Sequence, residues 1–555
     1  MHVSRFTAVV GQALRLPLPQ FGRRCAYPTI LMVTFLVSPC VAHAADKQPA
    51  APGLAQAPSW SNDDLKFFLH GSMGTEVVPE AVLRAFIKTY PDLFPSNDFS
   101  HLGLIADSEF GWPIGFSRTS VTHLGGMSAV GINCASCHFV QVTSRSSPEP
   151  IRILGGTSHF NVEAFFGSVL VATFKTSDPA NMKKFLAAYL DETQGNADAK
   201  GRAVFDHEWD QKATQIAAVL KADPFGAKDV QAGQLNQISP GDVKLDLEKL
   251  GGPDKGPLAQ LAHNMVRLFH NMRAALHVPD QPPDKPPPAS GPGRNDAFGL
   301  LSASLLNAPQ PYAPTKFGLV WNVGKRTWVH WDGNTKSPLA RNLLASLGLG
   351  APISGKHTDL DFALVKKQTD LSEMIAPPRY PFPVDIDAAN RGARHFDMLC
   401  NSCHGGPETD KRLYPVSEIG TDPHRAILFT EKQAERFNKF LAELEATGYE
   451  PPKEYGVRST GKYWAATLNG VWARSPYLHN GSVRTMQELL TPSGNRQKSF
   501  HRGSRVYDEQ ALGYTDEGAY VLDTTTSGNS NSGHNYGTNL AVSEKRDLIE
   551  YLKTL

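Results

Sequence analysis

A mainly α-helical protein, with long loops and little β structure, is the fold class this sequence predicts. Three observations predict it. Several stretches repeat apolar residues at three- and four-residue intervals, the period of an amphipathic helix. Two short motifs of identical form, Cys134-Ala135-Ser136-Cys137-His138 and Cys400-Asn401-Ser402-Cys403-His404, stand in the N-terminal and C-terminal parts of the chain. Finally, amphipathic segments lie just before the second motif and at the end of the chain.

The motifs carry the chemistry. Cys-x-x-Cys-His is the attachment signal of a c-type haem: two thiols make thioethers to the vinyl groups, and the adjoining imidazole becomes the proximal iron ligand. A Cys-x-x-Cys pair alone could be a redox dithiol or half a zinc site. A dithiol does not require the histidine that follows both times. The two pairs also stand much further apart than the halves of a zinc site usually do. The expectation is therefore two covalently bound haems c, held by Cys134, Cys137, His138, Cys400, Cys403 and His404. The remaining cysteines of the six, Cys25 and Cys40, fall in a segment that reads as a cleavable leader.

That leader is residues 1–44. Arg23 and Arg24 close a basic region, residues 30–41 are largely apolar, and Ala42-His43-Ala44 is a small-x-small cleavage site before Ala45. The apolar run is short for a bilayer span, and no later run is long enough. An uncleaved anchor is the other reading. The arginine pair is similar to a twin-arginine signal, but haem attachment follows export of unfolded chain, so the general secretory route is expected. A periplasmic or secreted bacterial protein with no membrane span after cleavage follows. The formal net charge of +1 gives no reason to expect a nucleic-acid partner.

Residues 45–60 are an Ala- and Pro-rich lead-in. Residues 45–295 make an N-terminal haem region, with a helical and loop segment inserted at about 171–293. Within it, 182–190, 213–220 and 258–276 have helical spacing, 224–256 reads as a long loop, and 278–293 is a Pro-rich connector. Residues 296–384 form a connecting segment carrying Trp321, Trp328 and Trp331. Residues 385–555 form a C-terminal domain. Asp385 or Asp387 caps a helix running to Cys400, with Ala389, Gly392, Ala393 and Phe396 on one face. Ser543 caps a helix to Leu555, with a Leu548, Tyr551, Leu552 and Leu555 stripe.

These terminal helices resemble those of the cytochrome c fold, in which Gly392 and Phe396 match one helix and Leu548 and Tyr551 the other. The small glycine lets the backbones cross closely. The fold expectation is thus two cytochrome c-like haem regions. The stretch Gly470-Val471-Trp472-Ala473-Arg474-Ser475-Pro476-Tyr477-Leu478-His479-Asn480-Gly481-Ser482 is similar to a segment shared by dihaem cytochrome c peroxidases and rubber oxygenases. It is closest to the rubber-oxygenase branch. His70-Gly71-Ser72-Met73-Gly74, Gly293-Arg294-Asn295-Asp296, Trp328-Val329-His330-Trp331-Asp332-Gly333-Asn334 and Gly533-His534-Asn535-Tyr536-Gly537-Thr538 fit that branch too.

The resemblance implies an oxidoreductase whose N-terminal haem handles dioxygen or hydrogen peroxide. The C-terminal haem, six-coordinate, transfers electrons. It also implies one structural calcium, a small redox protein as electron donor or acceptor, and an apolar organic substrate such as a polyisoprenoid. The competing class is a non-enzymatic dihaem electron carrier. For the second iron, His534 is the expected distal ligand, in a Gly- and Asn-rich loop before the last helix. His479 is the runner-up, and Met486 is more simply a core residue. The first iron has no clear distal ligand; His101, His123 and His159 read as structural or exposed. The distal glutamate motif of the peroxidases is missing, and Glu163 is the candidate substitute. Trp321 and Trp328 are candidates for an electron relay between haems, and Phe298 for a pocket wall. Simple core filling is the alternative for all three.

Overall fold

The computed structural model describes residues 55–555, apart from 148, 196–197, 232–233, 247–249, 251–255, 279–288, 309–310, 408–410 and 452–455. The leader, its cleavage site and most of the Pro-rich connector lie outside the described residues. The described chain is mainly helical, but it carries more β structure than its sequence leads one to expect.

Three apolar cores organise it. The first packs helices Glu80–Thr89, Val162–Thr176, Pro179–Gln194, Ala199–Ala222 and Pro257–Ala275 against a hairpin of Phe116–Val121 and Met127–Ile132. Phe86 meets Phe185 at 5.1 Å and Phe269 at 5.4 Å between ring centres. The helices of the 171–293 segment therefore bury their apolar faces in the same core as the residues before the first motif. The third core gathers Phe298 and Leu301 with helices Pro338–Gly348, Phe362–Glu373 and Glu431–Glu443.

The second core joins the two ends of the described chain. It runs from Trp60 and Phe68 through Cys134 and Phe139 to Trp472, Tyr507 and Leu548. One four-stranded sheet shows how. Strand Phe139–Ser144 begins directly after the first motif. It pairs antiparallel with Ile151–Leu154 and parallel with Val506–Asp508, Val506 standing opposite Thr143. Val140, Val142, Ile151 and Ile153 are β-branched residues suited to such a buried ladder. The first motif is thus a single helical turn between two strands, Met127–Ile132 and Phe139–Ser144.

The C-terminal motif stands in the expected setting. Asp385 caps helix Ile386–Leu399, accepting from the Ala388 N–H at 3.0 Å. This helix crosses the last helix, Val542–Lys553, with Phe396 and Tyr551 5.1 Å apart. Ser543 is not its cap. The helix starts one residue earlier, and Glu544 reaches back to accept the Ala541 N–H at 2.8 Å.

Two candidate haem cavities

Both motifs form the turn their spacing dictates, Cys134–His138 and Asn401–His404 with Cys400 just before it. Positions i, i+3 and i+4 share a helix face, so both thiols and the imidazole of each motif point the same way. Asn133 fixes the first turn. Its side-chain oxygen accepts the Ala135 N–H at 3.0 Å, and its amide donates to Phe68 O and Gly71 O. All four described cysteines are free thiols.

Each motif opens onto a cavity, of about 180 Å³ at His138 and about 220 Å³ at His404. The second cavity also receives His479 and His534. His404 Nδ1 hydrogen-bonds the Ala466 carbonyl at 2.6 Å, which leaves Nε2 for a metal. The His404 and His534 ring centres are 6.2 Å apart. Two imidazoles sharing one metal at about 2 Å per bond have ring centres about 6 Å apart, so this separation fits an iron between them. Burial pushes the His534 pKa down to about 4, reinforced by His404, so its imidazole is neutral and has a lone pair to give. His479 instead stacks on the Tyr463 ring at 4.1 Å. Met486 is buried in the wall of the same cavity.

Arg496 holds the His534 loop in place. Its guanidinium donates to the carbonyls of Leu489, Thr491, Asn531, Gly533 and His534, at 2.6 to 3.1 Å. Gly533 has φ +71°, and a Cβ there would lie 2.2 Å from Gly420 C, so only glycine fits. His534 itself is left-handed at φ +46°, uncommon for a residue with a side chain. Arg496 went unnoticed in the sequence because its role depends on carbonyls far along the chain.

The first cavity is built differently. Burial pushes His138 down to about 3, again a neutral ligand. Phe298, Leu301, Phe317, Val329 and Leu344 make most of its wall apolar, and His330 also lines it. Among the described residues, His138 makes no ring contact of the kind that joins His404 to His534. His101, His123 and His159 do not line this cavity; His101 bonds Ser96 at 2.7 Å, and His159 packs edge-on to Tyr514. Glu163 is no distal acid. It is buried away from the cavity, accepting from the N–H and hydroxyl of Ser290, and burial raises its pKa.

Of the proposed aromatics, Phe298 lies in the first cavity. Trp321 and Trp328 line neither. Trp321 is buried and donates its indole N–H to Leu154 O at 2.6 Å, while Trp328 carries the Arg458 guanidinium 3.8 Å above its ring. The residues common to both cavities are Lys316, Leu319, Trp331 and Trp464. Trp331 is pinned by its N–H to Lys316 O at 3.0 Å, and Lys316 Nζ donates to Arg474 O and Pro476 O. Trp331 and Trp464 are thus the tryptophans that stand in the walls of both cavities. Trp331 stood beside Trp328 in the sequence, and only the hairpin geometry separates them.

The charge around the cavities suits haem. Lys316, Arg326, Arg341 and Arg425 line the first, against one carboxylate, Asp296, whose oxygens are taken by the Gly299 and Ala313 N–H groups. Lys316 and Arg474 line the second, with no carboxylate among the lining residues. Buried cations need anions nearby. Arg425 is bridged to Asp332, and the propionates of a bound haem would bring further negative charge, with the thiol pairs to anchor it. Among the described residues no three His, Cys, Asp or Glu side chains gather to hold another metal ion, so the expected calcium has no such cage.

Comparison with known proteins agrees with this chemistry. Residues 461–501 match the profile described as RoxA-like, cytochrome c-like. That segment holds His479, Arg474, Met486 and Arg496. The chain is 26% identical to y4iJ, an uncharacterized protein of Sinorhizobium fredii (strain NBRC 101917 / NGR234), over 90% of this chain and 92% of the relative. It is 31% identical to y4iM, an uncharacterized protein of the same organism, over 49% of this chain and 71% of the relative. By the matched segment, these relatives and the Cys-x-x-Cys-His turns together, the chain belongs to the RoxA-like, cytochrome c-like family of haem-binding proteins.

Proposed function

We propose that this protein is an exported dihaem c-type oxidoreductase, with dioxygen or peroxide chemistry in the His138 cavity and electron transfer at the His404 cavity. The observation that carries the reading is the asymmetry of the two sites. His534 faces His404 across the second cavity at the spacing of a shared iron. Among the described residues no histidine ring stands at that spacing from His138, although His330 lines the same cavity. A haem with an open position supplies binding and redox chemistry toward small oxygen species; one closed by two imidazoles supplies electron transfer.

The residues of the chain set the conditions. Phe298, Leu301 and Leu344 exclude water and favour an apolar substrate. Such a lining suits a polyisoprenoid or similar hydrocarbon chain, the substrate class the rubber-oxygenase resemblance implies. Glu163 supplies no proton there, which weighs against the peroxidase alternative. Trp331 places an aromatic system in the wall common to both cavities, with its orientation fixed by Lys316 O. Its electron partner is a small redox protein.

In the purified holoprotein, mass spectrometry should find two haems on the chain. Electron paramagnetic resonance should show one low-spin and one high-spin ferric haem, with cyanide converting only the latter. Two low-spin haems that ignore cyanide would instead identify an electron carrier. Export rests on the basic, apolar and small-x-small order of residues 1–44. No helix of the described residues is long and apolar enough to cross a membrane. N-terminal sequencing of the periplasmic or secreted protein should begin at Ala45, and a start before Pro28 would reject the cleavage.

A further inference from the structure

The turn of residues 330–333, between strands Trp328–Val329 and Thr335–Lys336, brings His330 to the first cavity. The turn is strongly held. Gly333 N–H donates to His330 O at 3.2 Å, and the buried Asp332 is bridged by Arg425 at 3.1 Å. His330 adopts φ +72°, an uncommon and strained conformation for a residue with a side chain. Strain of this kind persists where the surroundings over-determine it, and it clusters at ligand sites.

The imidazole of His330 makes no hydrogen bond within the described residues. Its one ring contact is with Phe298, edge-on at 5.1 Å and 79°, which fixes the plane of the ring. Three neighbouring polar side chains of the cavity are committed. Arg341 donates twice to Asn342 Oδ1, Asn342 donates to Thr369, and Trp331 donates to Lys316 O. The ring is half-buried and open to the cavity, so its nitrogens are free to meet a ligand or water there. Burial, together with Arg425, Arg341, Arg326 and His138, holds its pKa well below the ordinary range. The ring is therefore neutral, with one N–H to donate and one nitrogen to accept.

We infer that His330 is a positioning residue of the first cavity, donating a hydrogen bond to a small oxygen species held opposite His138. The inference rests on the reading that the His138 haem is open. It assigns a polar contact to orient dioxygen or peroxide in a pocket whose wall is mostly apolar, a role that His101, His123, His159 and Glu163 cannot fill from their places outside the cavity.

The test uses reduced holoprotein with carbon monoxide and dioxygen as probes. A donor beside the bound diatomic lowers the C–O stretch by favouring charge on its outer atom. His330→Leu should move the infrared band of the first haem to higher wavenumber. It should also speed dioxygen dissociation about tenfold, the effect of one lost hydrogen bond of ~1.4 kcal/mol. His330→Gln, which keeps a donor, should restore a band close to wild type; a residue that merely filled the core would show no such rescue. An unchanged band and unchanged dissociation in His330→Leu, with carbon monoxide still binding, would overturn the inference but leave the open-haem reading standing. A wild-type first haem that is low-spin, and becomes high-spin only in His330→Leu, would make His330 an iron ligand and overturn it as well. Failure of wild type to bind carbon monoxide at the first haem would remove both.

Discussion

His534→Ala is expected to open the second haem. The low-spin signal should give way to a high-spin one, cyanide should then bind both haems, and the potential of the second should shift. The expectation follows from the 6.2 Å between the His404 and His534 rings and from the rigidity of the loop that carries His534. Arg496 ties five carbonyls of that loop and its neighbour, and the His534 N–H is bound to Ile419 O at 2.8 Å. With the backbone held, the loop carries no second histidine to replace the lost imidazole. The first cavity lies across the Trp331 wall and should keep its cyanide affinity. Turnover should fall because electron supply is altered, while substrate binding persists. His479→Ala is the control. Its ring stacks on Tyr463, so its loss should loosen packing but preserve the low-spin signal. Electron paramagnetic resonance of the three proteins decides. A low-spin signal that survives His534→Ala and disappears in His479→Ala would reverse the assignment.

The parts of this protein that were legible in the sequence are those governed by local spacing. Cys-x-x-Cys-His fixes a turn and a ligand set within five residues, and the helices around Met182, Met265, Gly392 and Leu548 announce themselves by their apolar period. The sequence misled where long-range contact decides. Residues 139–144 form a strand that no sequence expectation covered, because their strand partner Val506–Asp508 lies far along the chain. Trp321, Trp328 and Trp331 look equivalent in one dimension. The hairpin sends Trp331 into the wall between cavities and leaves Trp328 under Arg458. His330 lies inside the Trp328–Asn334 motif, where nothing local marks a histidine as lacking a partner. Glu163 looked available because Ser290, which occupies it, is distant in sequence.

Gly392→Ala should destabilise the C-terminal domain, although alanine is the better helix former. Gly392 lies inside helix Ile386–Leu399, where the intrinsic gain from alanine is about 1 kcal/mol. Against this, an added Cβ would sit 2.0 Å from Asp547 O, 2.5 Å from Asp547 C and 2.9 Å from Leu548 N. These are backbone atoms of the partner helix, so no side chain can swing aside. The two helices must separate, and the Phe396–Tyr551 contact at 5.1 Å opens with them. Overpacking of this kind costs about 1–3 kcal/mol, and rigid backbone on the opposing side places it at the upper end. The net expectation is a loss of roughly 1–2 kcal/mol, with larger side chains doing worse. Gly167→Ala provides the opposite sign. It too lies inside a helix, Val162–Thr176, but a Cβ there meets nothing within 4 Å, so the propensity gain of up to about 1 kcal/mol should appear almost undiminished. Urea unfolding followed at the haem absorbance and by circular dichroism measures both. Equal and stabilising effects at the two sites would show that the terminal helices do not cross as closely as the 2.0 Å approach requires.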